Sequence, residues 1–458
     1  MATSQGIKAT NRPFIVQKTQ EHASVFQVGY RFLEIIAYVC VHGIRLALRL
    51  FFNTFRRQKR SRQSLIGQAI AELCDALGAT FIKIGQILST RCDLFTQDMM
   101  APLSRLQDCI KPFPFHHVPI IIQQQLGRPL EEIFCEFEPQ PISSASIGSV
   151  YRARLHTGQE VAVKIRRPGI VPKVNNDFYL LRSMASIMAR FPAMRLIPMV
   201  EMIDELGQCI KQQLDLRIEA ANTRHFREQL AHDSLVHIPE LVDEYCTEAV
   251  MVMEFFDNLV RLDELDWTEE EYRASLLTAL RALYYMIFLD GFIHCDLHPG
   301  NMYLRKGGQV VILDAGFVAQ LKREDRHQFV EFFLGISMNA GKRCARILYE
   351  TASYKSATFD QEQFQQEVRE LIRKSSGANA ANFQVATFAY QIFAIQKRFG
   401  LRGSTDFTMA ILSLLVFEGI AKQLYPQLDF QTEARPFLFK AMVRKRDENA
   451  AQAGKSGL

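Results

Sequence analysis

The segment His294-Cys-Asp-Leu-His-Pro-Gly-Asn301 decides how this chain is read. It follows an apolar, helix-patterned run and precedes a short strand pattern. A second strand pattern, Val310-Val-Ile-Leu-Asp314-Ala-Gly316, then ends in a further carboxylate. Asp296 and Asn301 stand five residues apart, and Asp314 at its strand end can present a carboxylate to a cation. Hard oxygen donors in this arrangement suit Mg2+ beside phosphate groups. His294, Asp296 and His298 form a competing zinc reading. The short loop, the amide of Asn301 and the Asp at the following strand end favour the first.

Phosphoryl transfer from a nucleotide also needs a cation on the phosphates, a backbone cradle and a carboxylate near the attacking oxygen. Each has a candidate, in the chain order that protein kinases use. Val161-Ala-Val-Lys164 resembles the strand whose Lys contacts phosphates and pairs with a helix Glu. Taken alone it equally describes an alternating strand ending in a solvated Lys. Glu219, inside the helical run Asp215-Leu-Arg-Ile-Glu219-Ala-Ala-Asn222, is the candidate ion-pair partner, though many surface helices carry such a Glu. Asp296 takes the place of the catalytic base, and Asn301 and Asp314 those of the metal ligands. The cradle departs from pattern: no G-x-G-x-x-G precedes the first hairpin strand. Instead Ser143, Ser144, Ala145, Ser146, Ile147, Gly148, Ser149 and Val150 are the nucleotide-contacting candidates, joined by Glu254 and Phe255 at the end of a buried strand pattern. Small side chains still let a backbone approach phosphates, but one Gly gives less freedom than three.

The predicted fold class is therefore α+β: a bilobal protein-kinase-like fold with a helical N-terminal extension and a helix-rich C-lobe. The expected divisions are a basic, apolar segment over 1–62, a helical extension over 63–140, an N-lobe over 141–257, a C-lobe over 258–443 and a polar, disordered tail over 444–458. Residues 115–139 read as a helix and a connector.

At 458 residues and 48% hydrophobic content, the chain has ample material for a large core. Nine cysteines are scattered without a C-x-x-C pair, which argues against a disulfide framework and points to a reducing, intracellular setting. Residues 1–62 carry eleven Lys or Arg against two acidic residues, a balance of +9 within a whole-chain charge of +5. That end calls for an anionic partner. A membrane surface is preferred over nucleic acid, because the charges accompany a long apolar stretch. Within residues 30–52, Arg31, Glu34, Tyr38, His42, Arg45 and Arg49 fall on one helical stripe. Central charges cost about 2.5–3.5 kcal/mol each on insertion scales, so a helix lying in the membrane interface is expected rather than a spanning one. The basic run Arg56-Arg57-Gln58-Lys59-Arg60 follows it. The competing reading is a core helix with a solvated polar stripe.

Several motifs together resemble the UbiB/AarF/ADCK family of atypical kinases, associated with ubiquinone biosynthesis. They are Phe81-Ile-Lys83-Ile-Gly85-Gln86, the Ser143-Ser-Ala-Ser146 loop, Asp215-Leu-Arg-x-Glu219-Ala-x-Asn222, His294-x-Asp296-x-His298-Pro-Gly-Asn301, Asp314-x-Gly316 and the Leu424-Tyr-Pro-Gln-Leu-Asp429 region. The resemblance covers roughly Leu65 to Met442. It implies that Lys83 and Gln86 fold over the nucleotide site and obstruct a protein substrate; by pattern alone Lys83 would be a solvated helix residue. It also implies ATP and Mg2+ as cofactors, and ATPase or small-molecule kinase activity in preference to protein kinase activity. The partners it implies are quinone precursors, ubiquinone biosynthesis enzymes and the cytoplasmic face of a bacterial inner membrane. A second copy of the chain is kept as a candidate partner. The alternative is a non-catalytic nucleotide-binding scaffold. Three departures stand out. Gln213 replaces the family's usual Glu, so Lys83 is expected to turn to Asp215; Ser149 replaces a common Gln; and no long apolar run follows residue 420, so the family's C-terminal spanning helices are not expected.

Overall fold

The computed structural model describes residues 25–55, 61–91, 95–107, 111–191, 199–375 and 384–455. The basic run at 56–60 lies outside them. Four helices open the chain: α1 (Val25–Phe55), α2 (Arg62–Leu77), α3 (Ala79–Thr90) and α4 (Gln97–Ser104). Lys83 and Gln86 lie on α3. Its neighbours come close: a Cβ on Gly67 of α2 would sit 2.3 Å from the Met99 carbonyl oxygen of α4, so glycine sets that contact.

The N-lobe comprises α5 (His117–Leu126), α6 (Leu130–Ile133), β1 (Phe134–Phe137), β2 (Ser143–Ser144), β3 (Gly148–Leu155), β4 (Glu160–Arg166), α7 (Ile170–Met188), α8 (Met199–Gln213), α9 (Leu216–Leu230), β5 (Val236–His237) and β6 (Val250–Glu254). Its antiparallel sheet runs β1-β3-β4-β6, with β2 on the rim of β3. Residues 134–137, expected as a connector, are thus an edge strand. Their side chains Phe134 and Phe137 pack with Tyr151 over the same apolar face as Val161, Val163 and Val252. The sheet therefore begins before residue 141.

The extension packs on α7 and α8 through Leu77, Phe81, Ile84 and Ile87 against Val174, Phe178 and Ile210. Helix α1 lies against this layer with the orientation opposite to the core-helix reading. Its polar stripe faces inward. Arg31 Nε donates to Asp177 Oδ1 at 2.7 Å, its Nη2 to the Leu77 carbonyl at 2.8 Å, and Arg49 Nη1 to Glu72 at 3.0 Å. Ile35 and His42 are buried on the same side, while Arg45 stays exposed. The apolar arc faces out, with Phe26 90%, Tyr30 74% and Leu33 66% exposed and Ile44, Leu48, Phe51, Phe52 and Phe55 all open to solvent.

In the C-lobe, α10 (Glu269–Tyr284) starts with a reciprocal Thr268/Glu271 cap and ends in a π-turn, Tyr285–Asp290. Gly291, at φ +88°, turns the chain into β7 (Phe292–His294). β8 (Met302–Arg305), β9 (Gln309–Ile312) and β10 (Val318–Gln320) follow. β7 pairs with β10 and β8 with β9, so the loops 295–301 and 313–317 lie side by side. Helices α11 (Arg323–Ser337) and α12 (Gly341–Glu350), β11 (Ala352–Lys355), α13 (Gln361–Ser375), α14 (Val385–Arg398), β12 (Leu401–Gly403), α15 (Thr405–Leu424) and α16 (Phe430–Lys455) complete the lobe. The expected disordered tail is corrected by α16, which runs through residue 455. Glu448 meets Arg323 at 2.9 Å and Arg444 at 3.1 Å, and Lys445 meets Glu331 at 2.5 Å. The charges that made the segment read as a solvated tail are its docking contacts on α11.

Candidate active site

Lys164 stands in β4, the central strand of the sheet, opposite Val150 on β3 and Met251 on β6. Strand alternation sends it into the cleft between the lobes. There its Nζ lies 2.5 Å from Glu219 Oε1 of α9 and 2.8 Å from Asp314 Oδ2. One ammonium thus serves two carboxylates. Burial opposes the Lys164 charge, but Asp314 and Glu219 outweigh it and hold the group protonated. Burial, then the Asp314 charge, pushes Glu219 up to about 7, against the pull of Lys164. Burial works the same way on Asp314, but there Lys164 and the Gly316 amide prevail and hold the carboxylate low. Its side chain keeps 39% exposure toward the cavity, so water tempers the effect.

The two adjacent loops are tied together by His294. The ring is fully buried; its Nε2 donates to the Asp314 carbonyl oxygen, and its Nδ1 accepts from the Asp296 amide at 3.2 Å. Burial lowers its proton affinity, in keeping with a neutral ring that donates from one nitrogen only. With both nitrogens engaged, His294 is a strut and not a metal ligand. His298 Nδ1 accepts from the Gly300 amide at 2.9 Å. Among the described residues no three His, Cys, Asp or Glu side chains are grouped to hold a metal. The zinc alternative therefore has no ligand set.

For Mg2+ the donors fit better. Asn301 Nδ2 donates to the Asp296 carbonyl at 2.9 Å, which leaves Oδ1 as the end available to a cation. Asp314 Oδ1 accepts from the Gly316 amide at 2.8 Å. A Cβ on Gly316 would come 2.9 Å from that oxygen, so glycine lets the carboxylate fold back onto its own loop. Asn222 Nδ2 donates to the Ala315 carbonyl at 2.9 Å and steadies the loop from α9.

The cleft encloses a cavity of about 740 Å³. Of the expected residues, it is lined by Lys83, Gln86, Ser143 through Gly148, Val150, Lys164, Glu219, Glu254, Phe255, Asp296, Asn301 and Asp314. Ser149 is corrected. It is fully buried, alternates to the other side of β3 from the lining Val150, and shares a 3.1 Å hydrogen bond with Ser144 Oγ. Ser143 to Gly148 form a hairpin closed by Ala145 N to Gly148 O at 2.8 Å. Gly148 answers to packing: a Cβ there would lie 2.5 Å from the Ile165 carbonyl of β4. The tip residue Ile147 packs on the apolar cluster of α3 and α7, so the loop and the Lys83 helix share one wall.

Lys83 does not turn to Asp215, which caps α9 by accepting from Arg217 N and pairs with Arg217 Nη2 at 2.7 Å. The charge of Lys83 acts instead on Glu219 and Asp314, pulling each toward its ionised form, although on Glu219 burial prevails. Gln86 Nε2 donates to the Leu106 carbonyl at 3.1 Å, anchoring its side chain at the cavity rim. Ala162, Met253 and Leu313, with Tyr303 and Phe317, also line the cavity and form apolar walls that no sequence motif marked as such. Ala162 was legible as the small residue two before Lys164. Met253 and Tyr303 lie on strands where nothing but tertiary packing marks them.

A model of the ABC1 atypical kinase-like domain matches residues 105–348, and one of the UbiB helical domain matches residues 368–429. The probable protein kinase UbiB of Tolumonas auensis is 31% identical over 417 residues, covering 89% of this chain and 76% of that one. That of Sodalis glossinidius is 31% identical over 403 residues, covering 86% and 74%. Among solved structures, Rv3197 of Mycobacterium tuberculosis, determined with erythromycin, superposes with a TM-score of 0.52 at 22% identity, over 74% of this chain and 87% of that one. At that identity the likeness concerns the fold alone.

Proposed function

This chain belongs to the UbiB family of ABC1-type atypical kinases, and on that premise we propose that it binds ATP with Mg2+ and turns it over in support of ubiquinone biosynthesis at a membrane. The observation that carries the catalytic reading is the convergence of Lys164, Glu219 and Asp314 in one cavity beside Asp296 and Asn301. Val150, Ala162, Met253 and Leu313 offer the apolar surfaces that suit a flat base, and Lys164 meets the phosphates. Asn301 and Asp314 would hold Mg2+, which supplies charge neutralisation on the phosphate oxygens. Asp296 accepts the proton of the attacking oxygen, while His294 fixes its backbone relative to Asp314.

The cavity's roof argues for a small acceptor. Lys83 and Gln86 line it from α3, and the extension's apolar cluster holds that helix in place. A polypeptide would have to displace a packed layer, whereas water or a small alcohol would not. The membrane reading rests on α1, whose outward face is largely apolar while Arg31 and Arg49 are paired inward and Arg45 stays exposed. A face of this kind suits the boundary between headgroups and acyl chains of a bilayer. Lipid-soluble quinone precursors and the enzymes that process them are the partners that this placement makes accessible.

The test is Mg2+-dependent ATP turnover by the purified full chain, with and without vesicles containing anionic lipid. The reading expects turnover that requires Mg2+ and cosedimentation of the protein with the vesicles. ATP binding without any turnover, in either arm, would replace it by the scaffold alternative.

A further inference from the structure

Of the two ionisable side chains of the 294–301 loop that line the cavity, Asp296 and His298, only His298 is so far without a task. Its surroundings are built. Pro299 and Gly300 turn the chain so that the Gly300 amide donates to His298 Nδ1 at 2.9 Å. A Cβ on Gly300 would lie 2.8 Å from His298 Cε1, so glycine is what allows the ring to sit over its own turn. That hydrogen bond uses the Nδ1 lone pair, so the neutral ring carries its proton on Nε2. Nε2 lies 3.8 Å from Asp296 Oδ2, both side chains are about three-quarters buried, and both line the cavity.

The 3.8 Å separation is too long for a hydrogen bond between the two groups. It is right for one oxygen atom placed about 2.8 Å from each. Among the described residues, the Asp296 carboxylate accepts no hydrogen bond from another side chain or amide, unlike Asp314. The pair thus presents a fixed donor and an available acceptor to the same point in the cavity.

We propose that His298 is a catalytic residue of this site: a permanent hydrogen-bond donor that, with Asp296, holds the oxygen attacking the terminal phosphate. The proposal rests on the ATP-turnover reading above. In the step, one lone pair of the attacking oxygen accepts from His298 Nε2–H, and its own proton passes to Asp296. Its other lone pair forms the bond to the γ-phosphorus, while the bond from that phosphorus to the bridging oxygen breaks and ADP leaves with the electron pair. Asp296 then releases the proton to solvent, and His298 keeps its own throughout.

The experiment compares kcat, KM for ATP and MgADP binding in the full-length wild type, His298→Leu, His298→Gln and Asp296→Asn, with a thermal melt of each. His298→Leu should lower kcat by about tenfold or more while KM for ATP and MgADP affinity stay within about twofold. His298→Gln, whose amide can donate from nearly the same place, should recover most of the loss. The double variant His298→Leu/Asp296→Asn should be no slower than Asp296→Asn alone, because the two groups act on one oxygen. Wild-type kcat in His298→Leu would overturn the proposal and leave the ATP-turnover reading intact. A Gln variant as impaired as Leu, or a fall in MgADP binding to match, would also overturn it and reduce His298 to a structural residue. A wild-type chain without turnover would overturn both.

Discussion

Helices α1 and α15 pass the same test of length and apolarity for crossing a bilayer, yet the fold treats them oppositely. The most apolar stretch of α1 is 11% buried in the protein, and that of α15 is 61% buried. In α15, Phe407, Leu412, Leu414 and Phe417 are enclosed on several sides by the C-lobe core. Its buried acid, Glu418, caps α14 by accepting from the Val385 and Ala386 amides at 2.7 and 2.6 Å. In α1, Arg31 and Arg49 are paired against α2 and α7, and most of the apolar residues are left outside. Composition alone does not separate the two. The direction in which the polar stripe points does: in α1 it meets the protein and leaves the apolar arc outside, whereas α15 is enclosed by the C-lobe core.

That contrast can be broken experimentally. The largest effect is expected in α15: Phe417→Ala opens a cavity in the core and should cost about 3–5 kcal/mol in a urea titration. Arg31→Ala should approach the same size, about 3–5 kcal/mol, although α1 is largely exposed. The reason is that Asp177, with a fully buried side chain, is left without its partner. A loss below about 1 kcal/mol would show that α1 is only loosely attached. Smaller effects are expected on the outer face. Ile44→Ser with Leu48→Ser should change stability by no more than about 0.5 kcal/mol each, yet reduce cosedimentation with anionic vesicles. If vesicle binding survived the pair, the outward face would need another occupant.

Between the two helices lies the cleft, where a pH experiment sharpens the electrostatic account. Glu219 has a folded-state proton affinity raised from 4.5 to about 7, so the folded chain binds this proton more tightly than the unfolded one. The stability it contributes is present below its unfolded value and is lost as pH rises through the window from 4.5 to about 7. Glu219→Gln cannot titrate and should show a smaller decline of melting temperature across that window than the wild type. Equal slopes would mean that Lys164 and Lys83 keep Glu219 ionised throughout.

Much of the site was legible because its parts are set by short covalent spacings. Asp296 and Asn301 share one loop, and Asp314 closes the next strand, so their proximity follows once the two strand ribbons form. Lys164 could be placed because strand alternation left it as the polar member of an apolar strand. Where the charge of Lys83 acts was not legible. Three elements far apart in sequence decide it, and Arg217, two residues beyond Asp215, captures the expected carboxylate. Ser149 was misplaced by a single step of strand register. The side of α1 that meets the protein was hidden because an ion pair to Asp177, 146 residues away, determines it. The end of α16, from residue 444, read as tail because its charges find their partners on α11, more than a hundred residues earlier.

The variant Asp314→Asn tests most directly the proposal that Asp314 is the carboxylate through which this cleft handles Mg2+ and phosphate. Mg2+-dependent ATP hydrolysis should be measured on the purified wild type and variant, with a thermal melt to show that both are folded. The folded variant should lose turnover by a factor of about a hundred or more. Unchanged turnover in Asp314→Asn would contradict it.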